Sequence, residues 1–525
     1  METPCDKAVI LSAGAAVTCP PKARIWILAA TILGSSLAFV DSTVVNVALP
    51  ALQASFHSSL AGVQWVVESY GIFLAALILV GGSLGDLWGR RFVFVSGVVI
   101  FALASMGCGL AASVPQLIIA RSIQGVGAAL LVPGSLAIIS TSFDESSRGK
   151  AIGTWSGFTA ITSAIGPVLG GWLVEHASWR WVFFINLPLA VAVIFISLWQ
   201  VPESRRATAG RVDWAGAILA TLGLGGLVYG FIESVNRGWK DPLVFGSVIV
   251  GFACLVAFLF IESHIASPML PLELFKSRAF AGANLLTLLL YVAVGMFFFL
   301  FPLDLIQVQG YSATAAGAAM LPFILLMFSL SRWSGGLVSR YGGRGPLIIG
   351  PLIVASGFVL LAVPAIGGSF WWEFFPAVIV LGFGMAITVA PLTTVVMNSV
   401  DQDRVGAASG INNAVARVAG VMAIAVLGIV MVQVFSSRLN HGLARLALPT
   451  SVEHELQANV TKLAGLQAPA GLDPSKNHAI QQLIGTAFTS GFRMVMLIGA
   501  GLALASAAAT WLMIPKQGSS RPGGA

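Results

Sequence analysis

Two groups inside the apolar runs of this chain have chemistry of their own. Asp41 sits in LAFVDSTVVNVALP, residues 37–50, with Ser42, Thr43 and Asn46 beside it. On a helix, positions 42 and 46 share one stripe next to the acid. A carboxylate at mid-membrane costs about 2.5–3.5 kcal/mol on insertion scales, so it must face a wet or polar interior or carry a proton. That is the chemistry of a proton or cation carrier. Arg121 lies in a second apolar run, where a guanidinium is expensive unless paired. Asp41 is its candidate partner, directly or through water, with Gln124 one helical turn on. An arginine beside a carboxylate favours the charged acid, and drawing the two apart favours proton uptake. Protonation would then be tied to shape.

Other motifs surround this pair. GSLGDLWGRR, residues 82–91, joins two apolar runs by a short turn in which Gly82, Gly85 and Gly89 allow close approach. Asp86 could accept hydrogen bonds from a nearby helix N-terminus, and Arg90 and Arg91 could face anionic lipid or a carboxylate. Such a turn could latch one conformational state. GGLVSRYGGR, residues 335–344, repeats it with Ser339 in place of the acid. The run around 153–171 holds Gly153, Gly157, Gly166, Gly170 and Gly171, with Pro167 bending the helix. Its small face suits tight packing against a neighbour. Glu68 reads as a second titratable site, a cation-attracting acid or an edge acid. Asp304 reads as an interfacial acid, and Arg332 as an inner-end residue that snorkels. Asn412, Asn413 and Arg417 cluster in GINNAVARVAG and could line a substrate cavity together with Asn46, Glu68 and Gln124.

The elements that position these residues are transmembrane helices. Of 525 residues, 57% are hydrophobic and 9% charged, where soluble domains carry about 25% charged residues. Apolar runs of about 20 residues recur without period-2 alternation, which excludes a barrel. Fourteen spans are expected, at 25–49, 62–81, 92–112, 116–140, 151–174, 181–201, 214–233, 243–262, 281–306, 315–338, 346–366, 372–396, 405–435 and 486–514. With a cytoplasmic N-terminus, 17 of the 28 Lys and Arg fall in inner segments and 3 in short outer loops, so both termini read as cytoplasmic. The turn copies, eight spans apart, suggest two six-span halves. The expected division is a tail 1–24, a first bundle 25–201, a linker 202–270 with two extra helices, a second bundle 271–514 that includes an outer loop 436–485, and a tail 515–525. The net charge of +7 follows from topology and implies no nucleic acid. Four cysteines without CxxC spacing and six histidines at span edges imply no metal and no cofactor. Glu2 and Asp6 in the tail argue against a cleaved signal.

Four motifs carry a family resemblance. GSLGDLWGRR is similar to the loop signature of the major facilitator superfamily. LAFVDSTVVNVALP resembles the first-span signature of its fourteen-span drug:proton antiporter branch. ARSIQGVGAALLVPGSLAII, residues 120–139, resembles the fourth-span motif with its membrane arginine. Gly166-Pro167-Val168-Leu169-Gly170-Gly171 is similar to the fifth-span antiporter motif. The resemblance covers about 25–435. It implies an all-α membrane fold of two six-helix bundles plus two extra helices, and a proton-coupling role for Arg121 with Asp41. It also implies proton-driven export of lipophilic or cationic drugs from the inner membrane, without enzymatic activity. A dedicated metabolite exporter, a proton symporter and a membrane sensor are the alternatives. Expected partners are a small-molecule substrate, protons and the bilayer around a monomer, with an envelope adaptor protein admitted.

Overall fold

The structure, a computed structural model, describes residues 21–143, 145–205, 212–265, 268–400, 404–446, 448–469 and 472–515, leaving aside the side chains of 21, 22, 145–150, 156, 157, 160, 163, 164, 332, 339, 405 and 406. The tails 1–20 and 516–525, Arg206, Arg211, the side chains of Lys22, Arg148, Lys150, Arg332 and Ser339, and the surroundings of Gly157 lie outside that description.

The chain forms helices α1 (Pro21–Phe56), α2 (Leu60–Trp88), α3 (Arg90–Leu110), α4 (Val114–Ser142) and α5 (Glu145–His176). These are followed by α6 (Trp181–Gln200), α7 (Trp214–Arg237), α8 (Pro242–Glu262), α9 (Arg278–Val308) and α10 (Ala313–Ser331). The last four are α11 (Arg344–Leu361), α12 (Phe370–Asn398), α13 (Val405–Leu443) and α14 (Pro474–Met513). Among the described residues thirteen helices are long and apolar enough to cross a membrane. α5, 32 residues packed along α1, brings the set to fourteen.

Local chemistry starts many of these helices. Ser59, Asp213, Asp241, Ser277, Ser312 and Asp473 are N-caps whose side chains accept the free backbone N–H groups of the first turn. Asp241 and Asp473 are each followed by proline at the first helical position, where its fixed φ is already helical. The Asp473-Pro474 start corrects one sequence expectation. The outer loop does not run to 485, because α14 begins at 474 and buries Ile480 and Ile484 under a polar face that hydropathy passes over. Asp304, read from sequence as an interfacial acid, is buried within the protein at the start of the π-helical last turn of α9.

The packing repeats with an offset of eight helices. α1 packs on α5 and α6, and α9 packs on α13 and α14. α4 packs on α2 and α3, as α12 does on α10 and α11. Two seams join the halves, α5 against α10 and α2 against α13. The extra helix α7 lies against both α2 and α13, and α8 packs on α7. The two copies of the glycine turn also correspond. Gly89 and Gly342 both have positive φ, 113° and 72°. Arg91 donates to the Val201 carbonyl at 3.0 Å, at the end of α6, and Arg344 donates to the Trp511 carbonyl at 2.5 Å, near the end of α14. Gly89→Ala is expected to cost about 1–3 kcal/mol, because only glycine is at ease at that φ. Its Cβ would also meet the Glu203 carboxylate. The loss is read as a lower melting temperature of the detergent-solubilised protein.

The end of the bundle that carries 444–473 is the loop end, and the end with the glycine turns is the turn end. The halves are tied at the loop end. Gln53 of α1 donates to the Lys462 carbonyl at 2.9 Å and accepts from Gln307 of α9 at 2.9 Å. Thr314 of α10 donates its hydroxyl to Glu175 of α5 at 2.6 Å. A Cβ on Gly171 would overlap the Ala313 carbonyl, and one on Gly317 the Pro167 carbonyl.

Candidate functional site

Asp41 and Arg121 are drawn together from α1 and α4 as the core of one buried network. Arg121 Nη1 donates to Asp41 Oδ2 at 2.5 Å, and the two side chains are 1% and 0% exposed. Gln124, one turn along α4, donates to Asp41 Oδ1 at 2.8 Å and accepts from Arg121 at 2.7 Å. Arg121 Nε donates to the Val66 carbonyl of α2 at 3.1 Å, and the guanidinium lies over the Tyr70 ring at 4.3 Å. Asn186 of α6 donates to Asp41 Oδ1 at 3.4 Å and to Ser105 of α3 at 3.0 Å. Five helices of the first half therefore contribute to the network around one carboxylate. A buried ion pair is sustained only where the remaining donors and lone pairs are satisfied, and this one largely is.

Asn186, Ser105, Tyr70 and the Val66 carbonyl were not singled out as partners in the sequence. Asn186 stands alone among apolar residues in FFINLPLAV, and that isolation is the only signal it gives. Ser42 and Asn46, placed beside the acid by helical spacing, satisfy their own helix instead. Ser42 donates to the Phe39 carbonyl, and Asn46 donates to the Ser42 carbonyl.

In the second half, Asn412 donates to Asn284 at 3.1 Å and to Thr287 at 2.7 Å, fixing α13 on α9. Asn413 and Arg417 lie one turn apart on α13. Asn413 is exposed, and the Arg417 guanidinium lies 5.6 Å from the Phe39 ring of α1, across the divide between the halves. Glu68 is brought to none of these residues. It is buried beside the α2–α13 seam.

At the turn end, Arg90 donates to Asp86 at 2.7 Å, within one helical turn. At the start of α3 it is Glu203 that accepts from the backbone N–H of Arg91 at 3.1 Å and of Phe92 at 3.0 Å. A carboxylate there satisfies free N–H groups and suits the helix dipole. Gly85 donates no side chain and accepts the Gly89 N–H at 3.1 Å, while Gly82 has only Pro133 nearby. In α5, Gly166 and Gly170 pack on Thr43 and Val44 of α1, so α1 crosses them without room for a side chain, and Pro167 and Gly171 face α10. No cluster of His, Cys, Asp or Glu able to hold a metal occurs among the described residues.

The profile of the Major Facilitator Superfamily matches residues 31–424. The multidrug resistance protein Stp of Mycobacterium tuberculosis (strain CDC 1551 / Oshkosh) is 33% identical over 506 residues, covering 94% of this chain and 93% of that protein. The tetracenomycin C resistance and export protein of Streptomyces glaucescens is 31% identical over 497 residues, covering 93% and 91%. Among solved structures, a bacterial homologue of the human lysosomal transporter Spinster, inward-facing and unoccupied, superposes with a TM-score of 0.64 at 17% identity, covering 94% of this chain and 98% of that one.

Proposed function

The chain belongs to the Major Facilitator Superfamily, and from that premise we propose that it is a drug exporter driven by proton antiport in the inner membrane. The observation that carries the coupling is the Asp41–Arg121 pair, one buried carboxylate held by one buried guanidinium at 2.5 Å. In this closed pairing the acid and the guanidinium are matched. When the halves tilt and α1 shifts against α4, the acid loses its partner and takes up a proton. Substrate and proton then favour differently facing states, which is the thermodynamic content of antiport.

Support for export comes from the relatives, which are named for drug resistance and for export. The loop end faces outward in this reading, because the basic residues of the short connections gather at the turn end. In this reading the ties through Gln53, Gln307 and Thr314 close the outer face. The substrate sits between the halves, against Phe39, Asn413 and Arg417. One chain supplies both halves of the pseudo-twofold unit, so the working form is a monomer. The latch at the turn end works through Asp86 with Arg90 and through Glu203 with the start of α3.

The test uses everted vesicles that hold a pH gradient. Adding tetracenomycin C should release lumenal protons from vesicles containing the chain and not from empty ones. Proton movement in the same direction as the drug would make it a symporter.

A further inference from the structure

Of the buried membrane carboxylates that the pair above leaves unused, Glu68 and Asp304, Glu68 lies at the seam between the halves. Glu68 is 1% exposed, and neither of its oxygens has a hydrogen-bond partner among the described residues. Its neighbours on α2 show what it faces. One turn toward the loop end, Gln64 donates to the Ile424 carbonyl of α13 at 3.1 Å, and Trp65 donates to Glu233 of α7 at 3.1 Å. One turn the other way, a Cβ on Gly71 would overlap Val421 of α13. Ala61, Ile72 and Ala75 of α2 share an apolar cluster with Leu224 and Val228 of α7 and Ala425 of α13. Among the described residues Glu68 is therefore an acid without a hydrogen-bond partner in an apolar wedge of three helices, two of which belong to opposite halves.

Each element packed on the wedge carries charged or titratable groups, and all of them are engaged elsewhere. On α7, Glu233 binds Trp65 and pairs with Arg237 at 3.6 Å, and the Tyr229 ring is 6.0 Å from that of Trp65. On α13, Arg417 lies over Phe39. On α4, Arg121 is held by Asp41 and the Val66 carbonyl, and on α2 the Tyr70 ring lies under Arg121. Among the described residues no donor reaches Glu68. An ionised carboxylate without a donor in apolar surroundings is not sustainable, whereas the neutral acid is.

The seam over Glu68 must part when the loop end opens. Glu68 lies about 12 Å along α2 from its loop-end start, behind the Gln64–Ile424 contact. Opening would break that contact and bring water to the carboxyl, where it ionises. We propose that Glu68 is a second proton-binding site, loaded from the outer face, and that the α2–α13 seam closes only over its protonated form. Ionised Glu68 props the seam open. An outward-facing carrier therefore cannot turn back until it has taken a proton from outside. The proton stays on Glu68 while the seam is shut, so this site gates the return step and does not add to the protons carried through. The proposal rests on the alternating, proton-coupled reading above.

Two measurements on the full chain in lipid nanodiscs test it without any substrate. In pH-difference infrared spectra, the wild type should show the C=O stretch of a protonated, dry carboxyl at neutral pH. Glu68→Gln should lose that band, while Asp41→Asn and Asp304→Asn should keep it. Spin labels on His57→Cys and Trp372→Cys, one on each half at the loop end, should report a growing open population as pH rises, about tenfold per unit once the acid titrates. In Glu68→Gln, a neutral isostere, the closed population should persist across the range. A full-sized band in Glu68→Gln, or an unchanged pH response of the label pair, would overturn the proposal. In the Asp41→Asn background the Glu68 signals should remain, so a failure of coupling through Asp41 and a failure at Glu68 are told apart.

Discussion

Asp41→Asn is expected to reduce drug-driven proton flux in everted vesicles to that of empty vesicles, a fall of about 100-fold, at the upper end of ordinary coupling between sites. Asparagine is nearly the same size and keeps an oxygen for one of the two donors, Arg121 and Gln124, that now hold the two Asp41 oxygens at 2.5 and 2.8 Å. It has no proton to exchange at any accessible pH. The variant also leaves the Arg121 charge buried without a counter-charge, a change that costs about 3–5 kcal/mol where nothing compensates. The Val66 carbonyl and the Tyr70 ring reduce that cost here. The melting temperature should therefore fall without loss of the fold. The control is binding. Purified Asp41→Asn should still bind tetracenomycin C within a few-fold of wild type, and that binding should no longer vary with pH across the range where the acid titrates. Full proton flux in the variant would remove Asp41 from the coupling, and the Arg121 pair would then be a structural tie between α1 and α4.

The second large effect is at the other seam. Gly171→Leu should lower export at least about tenfold, by keeping the loop end from closing. α5 and α10 meet there without a side chain between them. Gly171 faces the Ala313 carbonyl, and Gly317 faces the Pro167 carbonyl. A leucine side chain cannot be accommodated by a shift of a few tenths of an ångström, because backbone lies on both sides. Gly153→Leu on the same helix is the control, since nothing lies within 4 Å of a Cβ there. A cysteine at Thr314 should be labelled from outside by a membrane-impermeant maleimide faster in Gly171→Leu than in Gly153→Leu. Equal labelling and equal export in the two variants would mean that the seam does not close as a unit.

Much of the architecture was legible because it rests on properties carried by neighbours in the chain. A run of about 20 apolar residues must hydrogen-bond its backbone internally in a bilayer, so hydropathy alone gave the helices and their order. Hydropathy failed where a helix left the apolar layer. It missed the first three turns of α14, because Asp473 and Pro474 start a helix whose polar face resembles a loop. The glycine turns were legible as a repeat, and the structure adds that Gly89 and Gly342 share a positive φ that no other residue adopts easily.

The site divides along the same line. The sequence named the acid, the arginine and Gln124, because a charge inside a span has few reasons to be there and few partners within reach. It could not bring Asn186 to the same carboxylate, Ser105 to Asn186 or the Val66 carbonyl to Arg121, place Glu203 at the start of α3, or set Glu68 in the wedge with α7 and α13. Helical spacing fixes which residues share a stripe. The direction that stripe faces depends on how each helix is rotated and on what the other half presents. Those contacts join residues a hundred or more positions apart, and only the packed bundle decides them.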